Sequence, residues 1–294
     1  MALDERWCQG QSGGMSGCQI VECLEEDGVV KFASRLADGA RIESVILPIR
    51  GRTTVCVSSQ VGCGRGCVFC ATGALGFGRN LSPEEIVWQV QAARERQECR
   101  VDNIVFMGMG EPLDNLDSVV QAIRVMADPH GLDIAYRYIT VSTAGHADGI
   151  RALGAFNLTN LRLAVSVNAA EDTLRDRLMP INRQYPLARL KAELLAFPKG
   201  KRGVILIEYV LLAGVNDSRE QALQLARYVD GLPVRINVIA FNGASGSGFS
   251  APAPEQVRRF CGWLVEEKLF VRERRSRGQG VLAACGMLGV GRLP

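Results

Sequence analysis

Short apolar runs alternate with longer amphipathic stretches along most of the chain. The runs have strand length and are Thr53–Ser58, Asn103–Met107, Arg137–Val141, Leu161–Val167, Val204–Leu211 and Arg235–Phe241. Between them, apolar residues recur at helical spacing, in stretches that include Asn115–Ala127, Ala147–Ala155, Pro186–Phe197 and Glu255–Glu267. Because each parallel connection needs a crossover, six β-α units in succession predict an α/β fold with an open, partial (β/α)6 barrel.

The segments before and after this alternation differ in character. Two runs with strand patterning flank Asp38-Gly39, a turn signal that predicts a β-hairpin over residues 29–50. The barrel is expected to span residues 51–268, and residues 269–294 to form a C-terminal strand and loop. Residues 1–28 begin with a Gly- and Ser-rich stretch without periodicity, so we predict a flexible N-terminal segment there.

Composition narrows the class of protein. The chain has 294 residues, of which 47% are hydrophobic and 22% charged, which is enough for one large domain with an ordinary surface. Without a signal peptide, the ten cysteines favour metal binding or catalysis over disulfides. No apolar run approaches the roughly 20 residues that cross a bilayer. We therefore expect a cytoplasmic protein without a membrane partner.

Positive charge is concentrated near the C-terminus. The net charge is only +3, so composition alone is weak support for a nucleic-acid partner. One segment nevertheless carries seven basic residues: Arg258, Arg259, Lys268, Arg272, Arg274, Arg275 and Arg277. Such a segment could contact phosphates, or it could be a solvated helix face followed by an exposed strand.

Three cysteines follow the first predicted barrel strand. Cys63, Cys67 and Cys70 have the spacing C-x3-C-x2-C in a Gly-rich loop. A structural zinc site normally has four protein ligands, and no fourth Cys or His stands at a matching distance in sequence. Three thiolates can instead hold an iron–sulfur cluster with one iron open to a ligand. An iron–sulfur cluster is the favoured interpretation, with zinc or buried cysteines as the alternatives.

Polar and small residues stand at the ends of the other predicted strands. Gly110 and Glu111 follow the second strand, Ser142 ends the third, Ser166, Val167 and Asn168 end the fourth, and Asn242 follows the sixth. In barrels of this kind the chemistry gathers at the carboxyl ends of the strands. Each residue is also common in ordinary turns, but together they favour a ligand-binding face.

Three residues outside these loops also carry reactive groups. Cys56 precedes the cysteine motif, Cys285 lies in A-A-C-G near the end of the chain, and Glu43 lies on the second hairpin strand. Most free cysteines are small buried residues, and a strand carboxylate is ordinarily exposed. Cys285, however, follows the basic, Gly-containing segment R-R-S-R-G-Q-G, which is typical of a loop.

The motifs together resemble a known family. The spacing C-x3-C-x2-C followed by Thr72 and Gly73 is similar to that of radical S-adenosylmethionine (SAM) enzymes. The wider set resembles the RlmN/Cfr family, the radical-SAM methyltransferases of adenosine in RNA. It consists of C-V-S-S-Q-x-G-C-x3-C-x2-C-A-T-G, G-F-x-R-N-L, G-M-G-E-P-L, S-T-A-G, L-M-P-I-N, G-V-N-D-S and A-A-C-G. The match runs from about Val29 to Gly289.

The resemblance implies a role for each candidate residue. Cys63, Cys67 and Cys70 match the ligands of a 4Fe–4S cluster, and Cys285 matches the cysteine that carries a methyl group as a thioether. Cys56 matches the cysteine that resolves a protein–RNA adduct, and Glu43 matches an acid that removes a substrate proton. The SAM-binding positions correspond to Gly110, Glu111, Ser142, Ser166, Val167, Asn168 and Asn242.

The resemblance further implies two SAM molecules per turnover, an RNA substrate (ribosomal or transfer RNA), and a flavodoxin- or ferredoxin-type reductant. We expect a monomer that methylates carbon 2 of adenosine. Carbon 8 is the alternative, and no residue decides between them. A cluster protein that only binds RNA or senses redox state would not need Cys56, Cys285 and Glu43 together.

Two departures from the family pattern bear on the substrate. Asn168 stands where the family commonly has histidine, and Asn does not titrate near neutral pH. Family members also commonly have an N-terminal helical domain that grips structured RNA, whereas here only residues 1–28 precede the hairpin. A transfer RNA, a free nucleotide or another heteroaromatic compound is therefore an alternative to 23S ribosomal RNA.

Overall fold

The computed structural model describes residues 17–49, 51–97, 100–200, 203–243 and 247–289. The strands are β1 (Gln19–Glu26), β2 (Val29–Arg35), β3 (Arg41–Ile49), β4 (Arg52–Cys56), β5 (Gln60–Gly62), β6 (Phe77–Asn80), β7 (Asn103–Phe106), β8 (Ile139–Thr143), β9 (Arg162–Ser166), β10 (Ile205–Leu211), β11 (Val234–Ala240) and β12 (Val271–Glu273). The α-helices are α1 (Ala71–Ala74), α2 (Pro83–Gln97), α3 (Leu116–Ala127), α4 (Ala147–Ala155), α5 (Asp172–Leu178), α6 (Leu187–Ala196), α7 (Arg219–Val229) and α8 (Pro254–Glu266).

Ten of these strands form one sheet in the order β1-β2-β3-β4-β7-β8-β9-β10-β11-β12. The first four pair antiparallel, and all pairs from β4 to β12 are parallel. Neighbouring parallel strands are connected through helices, and in the described ranges β1 and β12 are the sheet's edges. The predicted α/β class and open partial barrel are confirmed, and β12 adds a short seventh parallel strand in the expected C-terminal segment.

The N-terminal extension is larger than the predicted hairpin. The hairpin forms from β2 and β3, with Gly39 at φ +86° in its turn. In addition, β1 pairs with β2 over Gln19–Glu26, so the prediction of a flexible segment over residues 1–28 is wrong for this part. Most of β1 is exposed or half-buried, but its Cys23 is 8% exposed and packs in the main hydrophobic core. Residues 1–16 lie outside the described residues.

The two faces of the parallel sheet have different chemistry. One face carries fully buried apolar residues, such as Ile104, Val141, Val165 and Ile207, which pack in the main hydrophobic core. The opposite face, here called the inner face, carries Cys56, Ser142, Ser166 and Glu208 at alternating strand positions. The strand register sets Cys56 beside Val105, Ser142 beside Ala164 and Ser166 beside Glu208. Candidate functional side chains therefore project into one lumen.

Helices α2 and α7 begin with side-chain caps. Glu85 N donates to Ser82 Oγ (3.3 Å) and Ser82 N donates to Glu85 Oε2 (2.9 Å), a reciprocal capping box at α2. Ser218 Oγ accepts from Gln221 N at the start of α7. The sequence patterns did not predict the small β5–β6 hairpin or α5. Within the described ranges, no helix combines the length and apolar character that crossing a membrane requires.

Candidate active site

The three motif cysteines lie on one loop between β5 and α1. Cys63 N donates to the carbonyl of Gly76 (2.7 Å), and Cys70 N donates to the carbonyl of Cys67 (3.0 Å). Gly73 lies so close to this turn that a Cβ would be 3.0 Å from the Cys67 oxygen. These contacts fix the loop at the carboxyl end of the sheet, where the sequence predicted the site.

The thiols of this loop fit a cluster better than a single ion. In the described ranges, no three His, Cys, Asp or Glu side chains meet closely enough to bind one metal ion. A mononuclear zinc site needs that convergence, whereas the cysteine ligands of a 4Fe–4S cube bind different irons and stand further apart. Burial raises the pKa of Cys63 to about 11, and burial followed by the charges of Cys70 and Cys63 raises the pKa of Cys67. A cationic cluster would supply the charge that favours the thiolate forms of Cys63 and Cys67.

The C-terminal loop packs directly on the cysteine loop. Ala71 N donates to the carbonyl of Gly286 (2.8 Å), and Thr72 Oγ1 donates to the carbonyl of Leu288 (2.7 Å). On the other side, Asn242 Nδ2 donates to the carbonyl of Cys285 (3.0 Å). The A-T-G and A-A-C-G motifs therefore lie against each other, and their contact holds Cys285 beside the cysteine loop.

Cys56 and Cys285 are brought together from opposite ends of the chain. Burial, followed by the charge of the neighbouring Cys285, raises the pKa of Cys56 to about 12. Both cysteines are free thiols. The Arg274 guanidinium opposes these effects and lowers the pKa of Cys56. The sequence predicted both cysteines as functional but did not identify the cation beside them.

Arg274 is held by a carboxylate on the inner face. Its Nη1 lies 3.6 Å from Glu208 Oε2 and 3.7 Å from Met107 Sδ. Glu208 is 7% exposed, and its Oε1 accepts from Asn237 Nδ2 (2.8 Å). The charge of Cys285 is the largest factor that raises the pKa of Arg274, and Glu208 and Cys56 add to it. Arg274 is thus a cation shared by one carboxylate and two thiols.

Glu43 is buried, not exposed as a strand carboxylate would ordinarily be. Its Oε2 accepts from the amide of Gly289 (2.8 Å), and its Oε1 lies 3.4 Å from Lys31 Nζ. Both side chains of this ion pair are almost fully buried, at 2% and 3% exposed. The Glu43 carbonyl accepts from Ser58 Oγ (2.6 Å). Glu43 therefore lies between the segment after Cys56 and the loop that carries Cys285.

Gly110 and Glu111 connect two strand ends. Gly110 has φ +99°, and a Cβ there would lie 2.6 Å from Gln60 Cβ. Glu111 Oε2 accepts from Ala144 N (2.7 Å) and Oε1 accepts from Leu113 N (3.1 Å). Burial raises the pKa of Glu111, although these hydrogen bonds oppose the shift. The carboxylate is oriented by two backbone amides and by the Thr143 side chain.

The candidate SAM-binding residues at the ends of β8 and β9 differ in how far they are buried. Ser142 and Ser166 are half-buried at the ends of β8 and β9. Asn168 is 1% exposed and has φ +55°, a left-handed conformation that Asn tolerates. Its Oδ1 accepts from Val210 N (2.8 Å), and its Nδ2 lies 3.2 Å from Met179 Sδ. These contacts fix Asn168 between β9 and β10, so its predicted contact with SAM stays a prediction.

A buried arginine that the sequence did not single out organises this face. Arg175 donates to the carbonyls of Val167 (3.1 Å), Ser166 (3.1 Å) and Ala144 (2.8 Å), and to Asn182 Oδ1 (2.7 Å). It is fully buried, and burial lowers its pKa. Arg175 thereby holds the ends of β8 and β9 together, which explains why Asn182 of the L-M-P-I-N motif lies here.

The basic C-terminal segment does not form one surface patch. Arg258 pairs with Glu255 on α8 (2.6 Å), and Arg277 donates to the carbonyl of Pro48. Arg274 pairs with Glu208 inside the barrel. Strand register sets Arg272 beside Asn237 of the inner face. The segment distributes its charge over several environments, so its composition alone does not indicate one phosphate-binding surface.

The comparisons with known proteins agree with this geometry. Residues 57–226 match the Radical SAM superfamily. The chain is 48% identical over 262 residues to the dual-specificity RNA methyltransferase RlmN of Geotalea uraniireducens, covering 89% of this chain and 75% of the relative. It is 49% identical over 265 residues to the RlmN of Syntrophobacter fumaroxidans, covering 90% and 77%. A radical SAM methyltransferase from Sphaerobacter thermophilus superposes with a TM-score of 0.89 at 38% identity, covering 93% of this chain and 82% of that one.

The fold and the cysteine loop define a radical SAM enzyme, and membership of that superfamily implies a 4Fe–4S cluster and SAM. Cys63, Cys67 and Cys70 are the residues that would hold the cluster. Within the superfamily, the chain belongs to the RlmN family of radical SAM methyltransferases. The family inferred from the sequence motifs is confirmed.

Proposed function

We propose that this protein methylates carbon 2 of an adenosine in RNA, ribosomal or transfer, with Cys285 as methyl carrier and Cys56 as resolving thiol. The observation that supports it most is the meeting of Cys56, Cys285 and Glu43 beside the cysteine loop. A protein that only bound RNA or sensed redox state would have no use for two adjacent thiols and a buried carboxylate at this point.

Each side chain has a defined part in the proposed reaction. The bound cluster and SAM supply the radical chemistry, and a second SAM supplies the methyl group that Cys285 carries as a thioether. Loss of a hydrogen atom from that methyl group gives a methylene radical, which forms a bond to carbon 2. Glu43 takes the ring proton, and one electron passes from the adduct to an oxidised acceptor of the flavodoxin or ferredoxin type. The result is a closed-shell thioether that joins Cys285 Sγ to the adenine through a methylene carbon.

Cys56 then releases the product. Its thiolate attacks Cys285 Sγ, so that an S–S bond forms and the S–CH2 bond breaks. The bonding electron pair goes to the methylene carbon, which takes a proton and becomes the methyl group. Cellular thiols reduce the disulfide, which requires a reducing compartment such as the cytoplasm. A flavodoxin- or ferredoxin-type donor supplies the electron that starts the cycle, and we propose that the enzyme acts as a monomer.

Mass spectrometry of nucleosides tests the function. Ribosomal and transfer RNA are treated with the cluster-loaded protein, SAM and a reductant, and 2-methyladenosine is the expected product. A product methylated at carbon 8 would correct the position and keep the chemistry. Failure to find any methyladenosine in both RNAs would contradict the proposal, provided that Cys285 of the same preparation carries a methyl group.

Substrate size is tested in parallel. Free adenosine nucleotides serve as the competing substrate at the same adenosine concentration. We expect methylation of RNA and none of the free nucleotide. The opposite result would make a small nucleotide the substrate.

A further inference from the structure

Arginines line the inner face at the end of the barrel opposite the cysteine loop. Arg52 and Arg162 are the first residues of β4 and β9, and Arg235 is the second residue of β11. Arg162 shares its face with Ser166 by strand alternation, and Arg235 lies in register with Leu206, two residues before Glu208. The same alternation that directs the candidate active-site groups into the lumen directs these guanidinium groups into its far end.

A cavity of about 420 Å³ lies at the amino ends of β9 to β12, and its lining includes residues of both faces of the sheet and Lys199 of the α6–β10 connection. Arg137, Arg162, Arg235 and Arg272 line it, together with Asn237. The four arginines are exposed to solvent in the cavity. A volume of this size is within the range of small-ligand pockets, about 300–1,000 Å³.

The positive charge in this cavity has no acidic counterpart. No carboxylate of the described ranges lies within ion-pairing distance of these four arginines or Arg52, whereas Arg274 further along the lumen has Glu208. Partial burial is the main cause that lowers the pKa of Arg162. The charge of Arg235 lowers it further, and Tyr138 opposes the shift. Arg235 and Arg137 lie over the rings of Phe270 (5.2 Å) and Tyr138 (4.6 Å). Like charges are thus gathered without internal neutralisation, which suits an external anion.

The type of cation indicates the type of anion. Guanidinium groups bind phosphate oxygens through two parallel hydrogen bonds, and several converging guanidinium groups match a doubly or triply charged group. Arg162 is four residues from Ser166, or roughly 13 Å along the strand. A ligand held there is therefore separate from the site proposed for SAM and adenosine.

We propose that the arginine-lined cavity is a second ligand site, which binds a pair of neighbouring phosphate groups. The two phosphates belong either to a small molecule, such as a nucleoside diphosphate, or to the backbone of an RNA strand. The recessed shape favours the small molecule, because an extended strand is better served by an open stripe of charge. The site goes beyond the methyl transfer and does not depend on it.

Calorimetric titration with inorganic pyrophosphate tests the small-molecule form. The proteins compared are the cluster-loaded wild type, the double variant Arg162→Gln/Arg235→Gln, and a control, Arg227→Gln/Arg258→Gln. The control removes the same charge from exposed arginines that pair with Glu220 and Glu255. We expect the wild type and control to bind, and the double variant to bind at least tenfold more weakly. Equal binding by all three would overturn this form of the proposal.

Salt dependence of RNA binding tests the backbone form. A plot of log affinity against log salt concentration should become shallower by about 0.7–0.9 for each phosphate that the variant no longer neutralises. If the salt-dependence slope becomes shallower in the double variant but not in the control, and the wild type does not bind pyrophosphate, the ligand is RNA. If pyrophosphate binds and the slope is unchanged, it is a small phosphate compound. If neither measurement separates the double variant from the control, the site does not exist.

The variants must remain folded for these comparisons. Because the substitutions relieve repulsion between arginines, the melting temperature of the double variant should equal or exceed that of the wild type. The single variant Arg272→Gln provides a second, milder test. It should weaken pyrophosphate binding two- to threefold if its guanidinium contacts the ligand, and an unchanged affinity would remove Arg272 from the site.

Discussion

At the scale of single residues, the environment of Cys56 presents a chemical difficulty. The thiolate is the attacking species in disulfide formation, yet burial, followed by Cys285, raises the pKa of Cys56 to about 12. At neutral pH the proposed resolving thiol is almost entirely protonated. Arg274 is the cation that favours its ionised form, so the rate of resolution should depend on it.

The variant Arg274→Gln tests that dependence. Removing the cation raises the pKa of Cys56 further, so less thiolate is present at every pH below that value. We expect decay of the covalent adduct to slow about threefold for each unit by which the pKa rises, because a tenfold loss of thiolate is partly offset by the greater nucleophilicity of the more basic thiolate. Adduct formation should be little changed. The adduct is followed on denaturing gels in single turnovers at pH 7, 8 and 9.

A variant that keeps the positive charge separates this role from a structural one. Decay of the adduct should accelerate with rising pH in both proteins, and the variant should reach a given rate at a higher pH. Arg275→Gln is the matched control, since Arg275 is the exposed neighbour of Arg274. Because pH 7 to 9 lies far below the Cys56 pKa of about 12, Arg274→Gln should lower the rate by the same factor at all three pH values, and Arg274→Lys, which keeps the positive charge, should restore most of the rate. An Arg274→Lys protein as slow as Arg274→Gln would indicate distorted geometry and contradict the electrostatic role.

At the scale of elements, Arg175 on α5 connects strand ends that are distant in sequence. Its guanidinium satisfies the carbonyls of Val167, Ser166 and Ala144 in a fully buried position. Gly145 is required beside it, because a Cβ there would lie 2.7 Å from Arg175 Nη2. The geometry of the predicted SAM-binding face therefore depends on one side chain outside it.

Arg175→Met should lower the free energy of unfolding by about 3 kcal/mol, because buried acceptors lose hydrogen bonds to a charged group. SAM binding should weaken as well, since the ends of β8 and β9 are no longer held together. Urea unfolding and equilibrium dialysis with SAM are the measurements. Arg177→Met, at an exposed position of the same helix, is the control and should change neither. Wild-type SAM affinity in Arg175→Met would show that the face is preorganised without Arg175.

The elements that the sequence predicted are those with a strong local pattern. The parallel strands are apolar runs, and the helices carry apolar residues at regular spacing with caps such as Ser82 and Ser218. In contrast, β1 carries Glu22, Glu25 and Glu26 and is mostly exposed or half-buried, so no apolar pattern marks it in the sequence. Helix α5 is short and contains five charged or polar residues besides its leucines. Its role appears only in tertiary contacts that Arg175 makes.

The site residues divide in the same way. The cysteine loop and Cys56 stand in local motifs, and the resemblance located Cys285 and Glu43 as well. What the sequence could not provide was the partners: Lys31 for Glu43, and Arg274 with Glu208 for the two thiols. These partners lie 11 or more positions apart in the chain, and only the tertiary structure brings them together. For Asn168 the sequence predicted a contact with SAM, whereas in the structure its side chain makes contacts between β9 and β10.

At the scale of the whole molecule, three separate segments meet at the carboxyl end of the sheet. These are the β3–β4 region with Glu43 and Cys56, the cysteine loop, and the C-terminal loop with Cys285. Hydrogen bonds from Ala71 and Thr72 to the C-terminal loop, and from Gly289 to Glu43, join them. The central claim is that this meeting serves one covalent cycle in which Cys285 carries the methyl group and Cys56 resolves the adduct.

The most direct test is a denaturing gel with labelled RNA, run for Cys56→Ala and for Cys56→Ala combined with Cys285→Ala. In the single variant, methylation of Cys285 and bond formation to adenine do not use the missing thiol. Labelled RNA should therefore accumulate in a covalent complex with the protein, and the double variant should form none. If Cys56→Ala releases methylated RNA at the wild-type rate without a trapped complex, or if the double variant still methylates RNA, the account is wrong.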